Sequence, residues 1–120
     1  MNERRFQVEV AQAGTGRVRI VLAGDIDVAA DDTLADGYRR VASGPGSSEI
    51  VLDFHDVGYI NSTGIALIVR LLAEARRDRR AVTAVGLSDH YRRIFEITRL
   101  ADYVRIEVDQ AALAGQGEGT

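Results

Sequence analysis

Two hydroxyls and an amide stand together in Asn61-Ser62-Thr63-Gly64, directly ahead of the apolar run Ile65-Ala66-Leu67-Ile68-Val69. A short polar side chain in that place accepts from the free N–H groups of a helix's first turn. Asn61 and Ser62 are both eligible caps. If Asn61 is the cap, Ser62 takes the first helical position and its hydroxyl is free to be modified. If Ser62 is the cap, its oxygen is engaged with the backbone near Ile65. Ile65, Ile68, Val69 and Leu72 recur with the spacing of one helix face, and Leu67 and Leu71 widen it, which predicts a largely covered helix. Gly64 interrupts this pattern. Glycine inside a helix costs about 1 kcal/mol relative to alanine, and close approach of another molecule would account for it.

No second group joins these hydroxyls in a catalytic constellation. His55 and His90 are isolated and lack metal-ligand spacing, so each reads as a solvated loop or helix residue. Ser62 has no G-x-S-x-G elbow and no evident histidine partner. The glycines at 14 and 16 and at 115 to 119 lack the strand-to-helix context of a nucleotide fingerprint. The 120 residues include no cysteine and no lysine, and all 15 basic residues are arginine. Disulfides, thiolate chemistry, Schiff bases and a phosphate-binding lysine are therefore excluded. Asp53, at the end of an apolar strand, stands where a phosphate-accepting receiver domain keeps its acceptor. Such a domain also needs an acidic pair after its first strand and a lysine after its last, and neither is present. The chain is not expected to be an enzyme, and no cofactor or metal is implied.

The elements that must position the hydroxyls follow from periodicity. Phe6-Gln7-Val8-Glu9-Val10 alternates as a half-buried strand, turns at Gly14-Thr15-Gly16 and pairs with Val18–Leu22 as an antiparallel hairpin. Gly24-Asp25-Ile26-Asp27 reads as a loop. Asp27 caps a helix running through Leu34, Tyr38 and Val41, with Asp31 and Asp32 in its first turn, and Ser43-Gly44-Pro45-Gly46 ends it. Glu49–Phe54 is a buried central strand, and His55–Ile60 a loop into the Ser62 helix. Arg76-Arg77-Asp78-Arg79-Arg80 closes that helix, where cations complement its dipole; a partner patch is the alternative. Ala81–Gly86 is a strand, Ser88 or Asp89 caps a helix with Tyr91, Ile94 and Phe95 on one face, and Tyr103–Val108 is an edge strand. Residues 1–110 form one α/β domain, a mixed sheet of about five strands flanked by helices in the order β-β-α-β-α-β-α-β. Residues 111–120 are expected to be a short helix or flexible tail.

A net charge of −3 with dispersed arginines argues against a nucleic-acid groove. No run approaches the ~18 apolar residues of a membrane span, and the start leads into a strand without signal-peptide character, so a cytoplasmic protein without membrane insertion is expected.

Several segments together resemble one family. Leu22-Ala23-Gly24-Asp25-Ile26-Asp27 is similar to the L-x-G-x-L-D element after the second strand of STAS domains, the family of anti-sigma-factor antagonists. Ile50–Ile60 resembles their buried strand and loop, and Asn61-Ser62-Thr63-Gly64-Ile65 their D-S-[ST]-G-[LI] box. Val85-Gly86-Leu87-Ser88 and Arg92–Leu100 are similar to their closing segment. The resemblance runs from about residue 6 to 108 in one order. It implies a binding switch in which the serine after the box's acid is phosphorylated by an anti-sigma factor with a histidine-kinase-like serine kinase fold. The unphosphorylated antagonist binds that partner, the phosphorylated form releases it, and a metal-dependent serine phosphatase resets the switch. By position the acceptor is Ser62, with Thr63 second. The partner surface implied comprises Asp25, Asp27, Asn61, Ser62, Thr63, Gly64, Leu87, Ser88 and Asp89. Three departures stand out: Asn61 replaces the acid, Arg99 replaces the glycine of the closing Thr-Gly-Leu, and the glycine usual before the fourth strand is missing after Arg77. The other reading is a STAS scaffold or transporter-associated subunit that binds its partner without a phospho-switch.

Overall fold

The computed structural model describes residues 5–44 and 47–107. Strand β1 (Gln7–Gly14) turns back into β2 (Arg17–Ile26), and the two pair antiparallel with Val10 opposite Ile20. A 3-10 turn, Val28–Ala30, opens helix α1 (Asp31–Ala42). Then follow β3 (Glu49–Ile60), α2 (Ser62–Arg77), β4 (Ala81–Val85), α3 (Asp89–Ile97), a second 3-10 turn (Leu100–Asp102) and β5 (Arg105–Glu107). The sheet order is β1-β2-β3-β4-β5, with every pair after the hairpin parallel. The expected five-stranded mixed α/β sheet and its chain order are therefore observed. The expected Ala111–Ala114 helix, the tail after it and Val108 lie outside the described residues.

The strands' alternation sorts side chains between two faces. Val18, Ile20, Leu22, Ile50, Leu52, Phe54, Val82 and Ala84 join a buried cluster with Leu34, Tyr38 and Val41 of α1, and with Leu67, Ile68, Leu71 and Leu72 of α2. Phe95 of α3 packs edge-on against Phe54, ring centres 6.0 Å apart. The alternate residues carry a polar network. Arg17 Nε donates to Glu49 at 3.1 Å, and Thr83 Oγ1 to the same carboxylate at 3.3 Å. Arg19 Nε lies 3.3 Å from Asp53 Oδ2 without the alignment of a hydrogen bond.

Four expectations are corrected. Gly24–Asp27 and His55–Ile60 are not loops: β2 and β3 stay paired as far as Ile26 opposite Ile60. Beyond Asp53, whose β4 partner Val85 is the last of its strand, β3 pairs only with β2, and past Ala23 and Asp56 β2 has lost β1 as well, so the two run on as a two-stranded ribbon. Its β2 half keeps one buried face through Gly24 and Ile26, but His55, Asp56, Gly58 and Tyr59 of the β3 half are exposed, so its polar and glycine-containing sequence imitates a loop. Two register shifts, between Val21 and Ala23 and between Gly24 and Asp25, each put an extra residue on the β3 side and bend the ribbon. Helix α2 is covered on one side only. Its buried line is Gly64, Leu67, Ile68, Leu71, Leu72 and Ala75, whereas Ser62, Thr63, Ala66, Val69 and Arg70 are exposed. Val69 was expected inside, but the buried arc is rotated toward Leu67 and Leu71. The last strand is shorter than its sequence pattern: Tyr103 is exposed and Val104 buried ahead of it.

Among the described residues two non-glycine residues have positive φ, Arg99 (67°), which stands in place of the glycine of the closing Thr-Gly-Leu, and Arg79 (61°), in the turn after Arg77 where a glycine before the fourth strand is missing. Both are turn positions just past a helix, where glycine is favoured because it has no Cβ to crowd the following carbonyl.

Candidate functional site

Asn61 is the cap of α2. Its extended backbone (φ −92°, ψ −176°) lets Oδ1 accept from Gly64 N at 2.8 Å. Ser62 consequently holds the first helical position, exposed, and its hydroxyl has no partner among the described residues. Thr63 beside it is also exposed. The surrounding backbone is fixed tightly. Asn61 N donates to Ile26 O at 3.2 Å, so the end of β2 holds the turn between β3 and α2. From the other side, Ile60 N donates to the Tyr91 hydroxyl of α3 at 2.9 Å.

Gly64 is a corrected expectation. It is buried, and a Cβ there would lie 2.0 Å from Ile26 O and 2.8 Å from Ile26 C. The side chain is missing so that the first turn of α2 can seat on the end of β2. The chain's own packing explains this glycine, and it presents no surface to a partner.

The other candidate residues gather about this turn to different degrees. Asp25 lies opposite Tyr59 in the ribbon, one pair from Ile26 and Ile60. Asp27 is half-buried and caps the 3-10 turn, its Oδ1 accepting from Ala29 N at 2.9 Å. Ser88 caps α3, its Oγ accepting from Tyr91 N at 3.2 Å, and Asp89 is exposed and ion-paired with Arg92. Leu87 is half-buried against the core. The Leu87–Asp89 loop joins the Ser62 turn through Tyr91, and Ile60, Leu87, Ser88 and Tyr91 share a small cavity of about 110 Å³. His55 is exposed on the same side and lies 2.7 Å from Asp53 through Nδ1; His90 stacks edge-on against Tyr91, centres 4.8 Å apart.

Sequence reasoning missed Tyr91's second role. It was placed on the apolar face of α3, and its phenol is the one group there able to accept a hydrogen bond. It also missed Val28 and Tyr59, 70% and 55% exposed, which add apolar surface beside Asp27 and Asp25. With Ala66 and Val69 they make the rim around Ser62 more apolar than its carboxylates suggest.

The Ser62 hydroxyl thus stands at the N-terminus of a helix, on an exposed rim beside a turn held from both sides. No general base contacts it among the described residues. The chain belongs to the STAS-domain family: the family model described as "Mlab, STAS domain" matches residues 10–108. Within that family it is 29% identical over 112 residues to the anti-sigma-B factor antagonist of Listeria monocytogenes, covering 92% of this chain and 96% of the relative. Its fold matches an anti-sigma factor antagonist from Mycobacterium paratuberculosis (TM-score 0.71, 17% identity, 93% of each chain). It also matches the Bacillus cell fate determinant SpoIIAA in its phosphorylated form (TM-score 0.64, 18% identity, 92% of this chain and 97% of that one). No helix among the described residues is long and apolar enough to cross a membrane.

Proposed function

We propose that this chain is an anti-sigma-factor antagonist of a partner-switching module, with Ser62 as its phosphoacceptor. Unphosphorylated, it binds an anti-sigma factor that is also a serine kinase of histidine-kinase-like fold. Phosphorylation releases it, and a metal-dependent serine phosphatase restores it. The observation that carries the reading is the cap: Asn61 occupies the capping site, which leaves the Ser62 hydroxyl free at the helix start. The Listeria relative, an anti-sigma-B factor antagonist, supports the partner class.

Electrostatics limits how such a switch works. A phosphate adds about −1.5 to −2 charges at pH 7. At a helix N-terminus that charge is stabilised by about 0.3–1 kcal/mol, so the domain stays folded. The effect falls on the partner, where an unpaired buried charge costs about 2–5 kcal/mol, or roughly 30- to several-thousand-fold in affinity. The docking surface of this reading is Asp25, Asp27, Asn61, Ser62, Thr63 and the Leu87, Ser88, Asp89 loop, widened by Val28, Tyr59 and Val69.

The test is incubation with the host's candidate anti-sigma kinases and ATP, followed by intact mass and site mapping. One phosphate on Ser62, absent from Ser62→Ala, is expected; phosphate on Thr63 alone moves the acceptor by one residue. Asn61 favours a second reading, a STAS scaffold or transporter-associated subunit without a switch, because the acidic neighbour of the acceptor is lost. In that case Ser62→Ala and Ser62→Asp bind the partner alike.

A further inference from the structure

Arg76 and Arg77 lie in the last turn of α2, where cations complement its dipole, but the arginines at that end also do more. Arg79 and Arg80 lie beyond the last helical residue, Arg77. Arg80 is a brace: its Nε donates to Ser47 O at 2.9 Å, and its other nitrogens reach Tyr38 Oη, Asp78 and Ala42 O. Arg76 lies over the half-exposed Tyr103 ring, 5.1 Å from its centre. Arg77 and Arg79 are exposed and make no ion pair among the described residues. Between these groups, Leu72 and Val82 line an open cleft of about 320 Å³ together with Arg76, Arg79, Arg80 and Tyr103. Asp102 also lines it, but its carboxylate is held by Arg99 at 3.1 Å.

We propose that this cleft is a second docking surface, which takes an acidic segment of a partner protein with an apolar side chain seated against the exposed Tyr103 ring. Three features point the same way. The cleft is positive on a chain whose net charge is −3. An exposed tyrosine stacked by arginine has the composition of an interface anchor. Arg79 keeps a left-handed backbone that would favour glycine, so the fold bears a cost to place a cation at the cleft's edge. A bare anion would leave the Tyr103 ring in water, whereas a peptide meets both the ring and the cations. From Ser62 to Arg76 is about 21 Å along the helix at 1.5 Å per residue, so one partner can reach both ends or two partners can bind at once.

The experiment is an amide NMR titration of the full chain with a synthetic peptide of glutamates flanking one leucine, and with its glutamine counterpart. Saturable shifts are expected at Leu72, Arg76, Arg79, Val82 and Tyr103 with the glutamate peptide alone, weakening as salt is raised. Arg79→Gly relieves the backbone and removes the charge, so it keeps the fold while lowering affinity by roughly fivefold. Ser62→Asp leaves the affinity unchanged. Equal shifts with the glutamine peptide, shifts scattered over the surface, or none at millimolar peptide would overturn the proposal. Line broadening that grows with protein concentration alone would make a second copy the occupant and overturn it too.

Discussion

At the N-terminal end of α2, besides the Asn61 cap and the Tyr91 hydroxyl, the helix is seated by main chain: Ile26 O accepts from Asn61 N, and Gly64 sits where a single added carbon would strike that same carbonyl. At the C-terminal end they are made by side chains: Tyr38 Oη donates to Asp78 at 2.6 Å, and Arg80 ties both to the Ala42 and Ser47 carbonyls. Main-chain seating needs little side-chain material and leaves the Ser62 rim open. Side-chain bracing fills its region with charge and leaves a basic cleft beside it. The two ends of one helix thus differ in the balance of main-chain and side-chain contacts that hold them, and each keeps a different chemistry at the surface.

The sharpest way to break this contrast is Gly64→Ala. With its Cβ 2.0 Å from a backbone oxygen, the first turn or the end of β2 must shift. A loss of about 3 kcal/mol, read in urea melts, and a fall in Tm on the order of 15 °C are expected. A change within about 0.5 kcal/mol would mean that the N-terminal end is not seated by main chain at all. At the other end, Arg80→Ala strips the donor from two carbonyls, a phenol and a carboxylate, and should cost about 2 kcal/mol.

The brace also predicts a pH dependence. Burial first, and the Asp78 carboxylate second, push the Tyr38 phenol above its ordinary range, with Arg80 partly opposing. A group whose folded pKa is raised contributes stability that is complete below its unfolded pKa, near 10, and is lost as pH rises through the folded value. Tyr38→Phe should therefore flatten the alkaline limb of stability against pH above about 10, measured by urea melts across pH. An unchanged limb would assign the alkaline loss to other groups.

Smaller effects refine the comparison. Asn61→Ala removes the cap and should cost about 1 kcal/mol, while Asn61→Asp should be neutral or gain about 0.3–1 kcal/mol from the dipole. Arg99→Gly lies at neither end and calibrates the left-handed turn. Relief of the backbone outweighs the added chain entropy and a surface ion pair, for a net gain of about 0.5 kcal/mol in thermal melts.

The elements with strong periodicity were legible without coordinates: the hairpin, the central strand Glu49–Phe54, and the helices on Leu34, Tyr38 and Val41 and on Ile94 and Phe95. The ribbon was not, because His55-Asp56-Val57-Gly58-Tyr59 has the composition of a loop, and only pairing to Ala23–Ile26 makes it a strand. At the site, local capping rules could not choose between Asn61 and Ser62, since both side chains satisfy the same N–H groups. The meaning of Gly64 was out of reach for a different reason. Its neighbour Ile26 is far away in sequence, and a backbone carbonyl leaves no signature in residue type. Arg80 was misread as a dipole partner because its acceptors, the Ala42 and Ser47 carbonyls, are equally silent.

The sheet's order repeats the chain's order, so each new strand finds its partner already made. During synthesis the serine's seat, built from Ile26, Asn61 and Gly64, can form once α2 has emerged as far as Arg77. Its last tether, the Tyr91 hydroxyl, follows roughly 1–3 s later at ribosomal speeds of about 5–20 residues per second. The newborn chain thus passes through an interval in which Ser62 is already presented but α3 has yet to lock the turn beneath it.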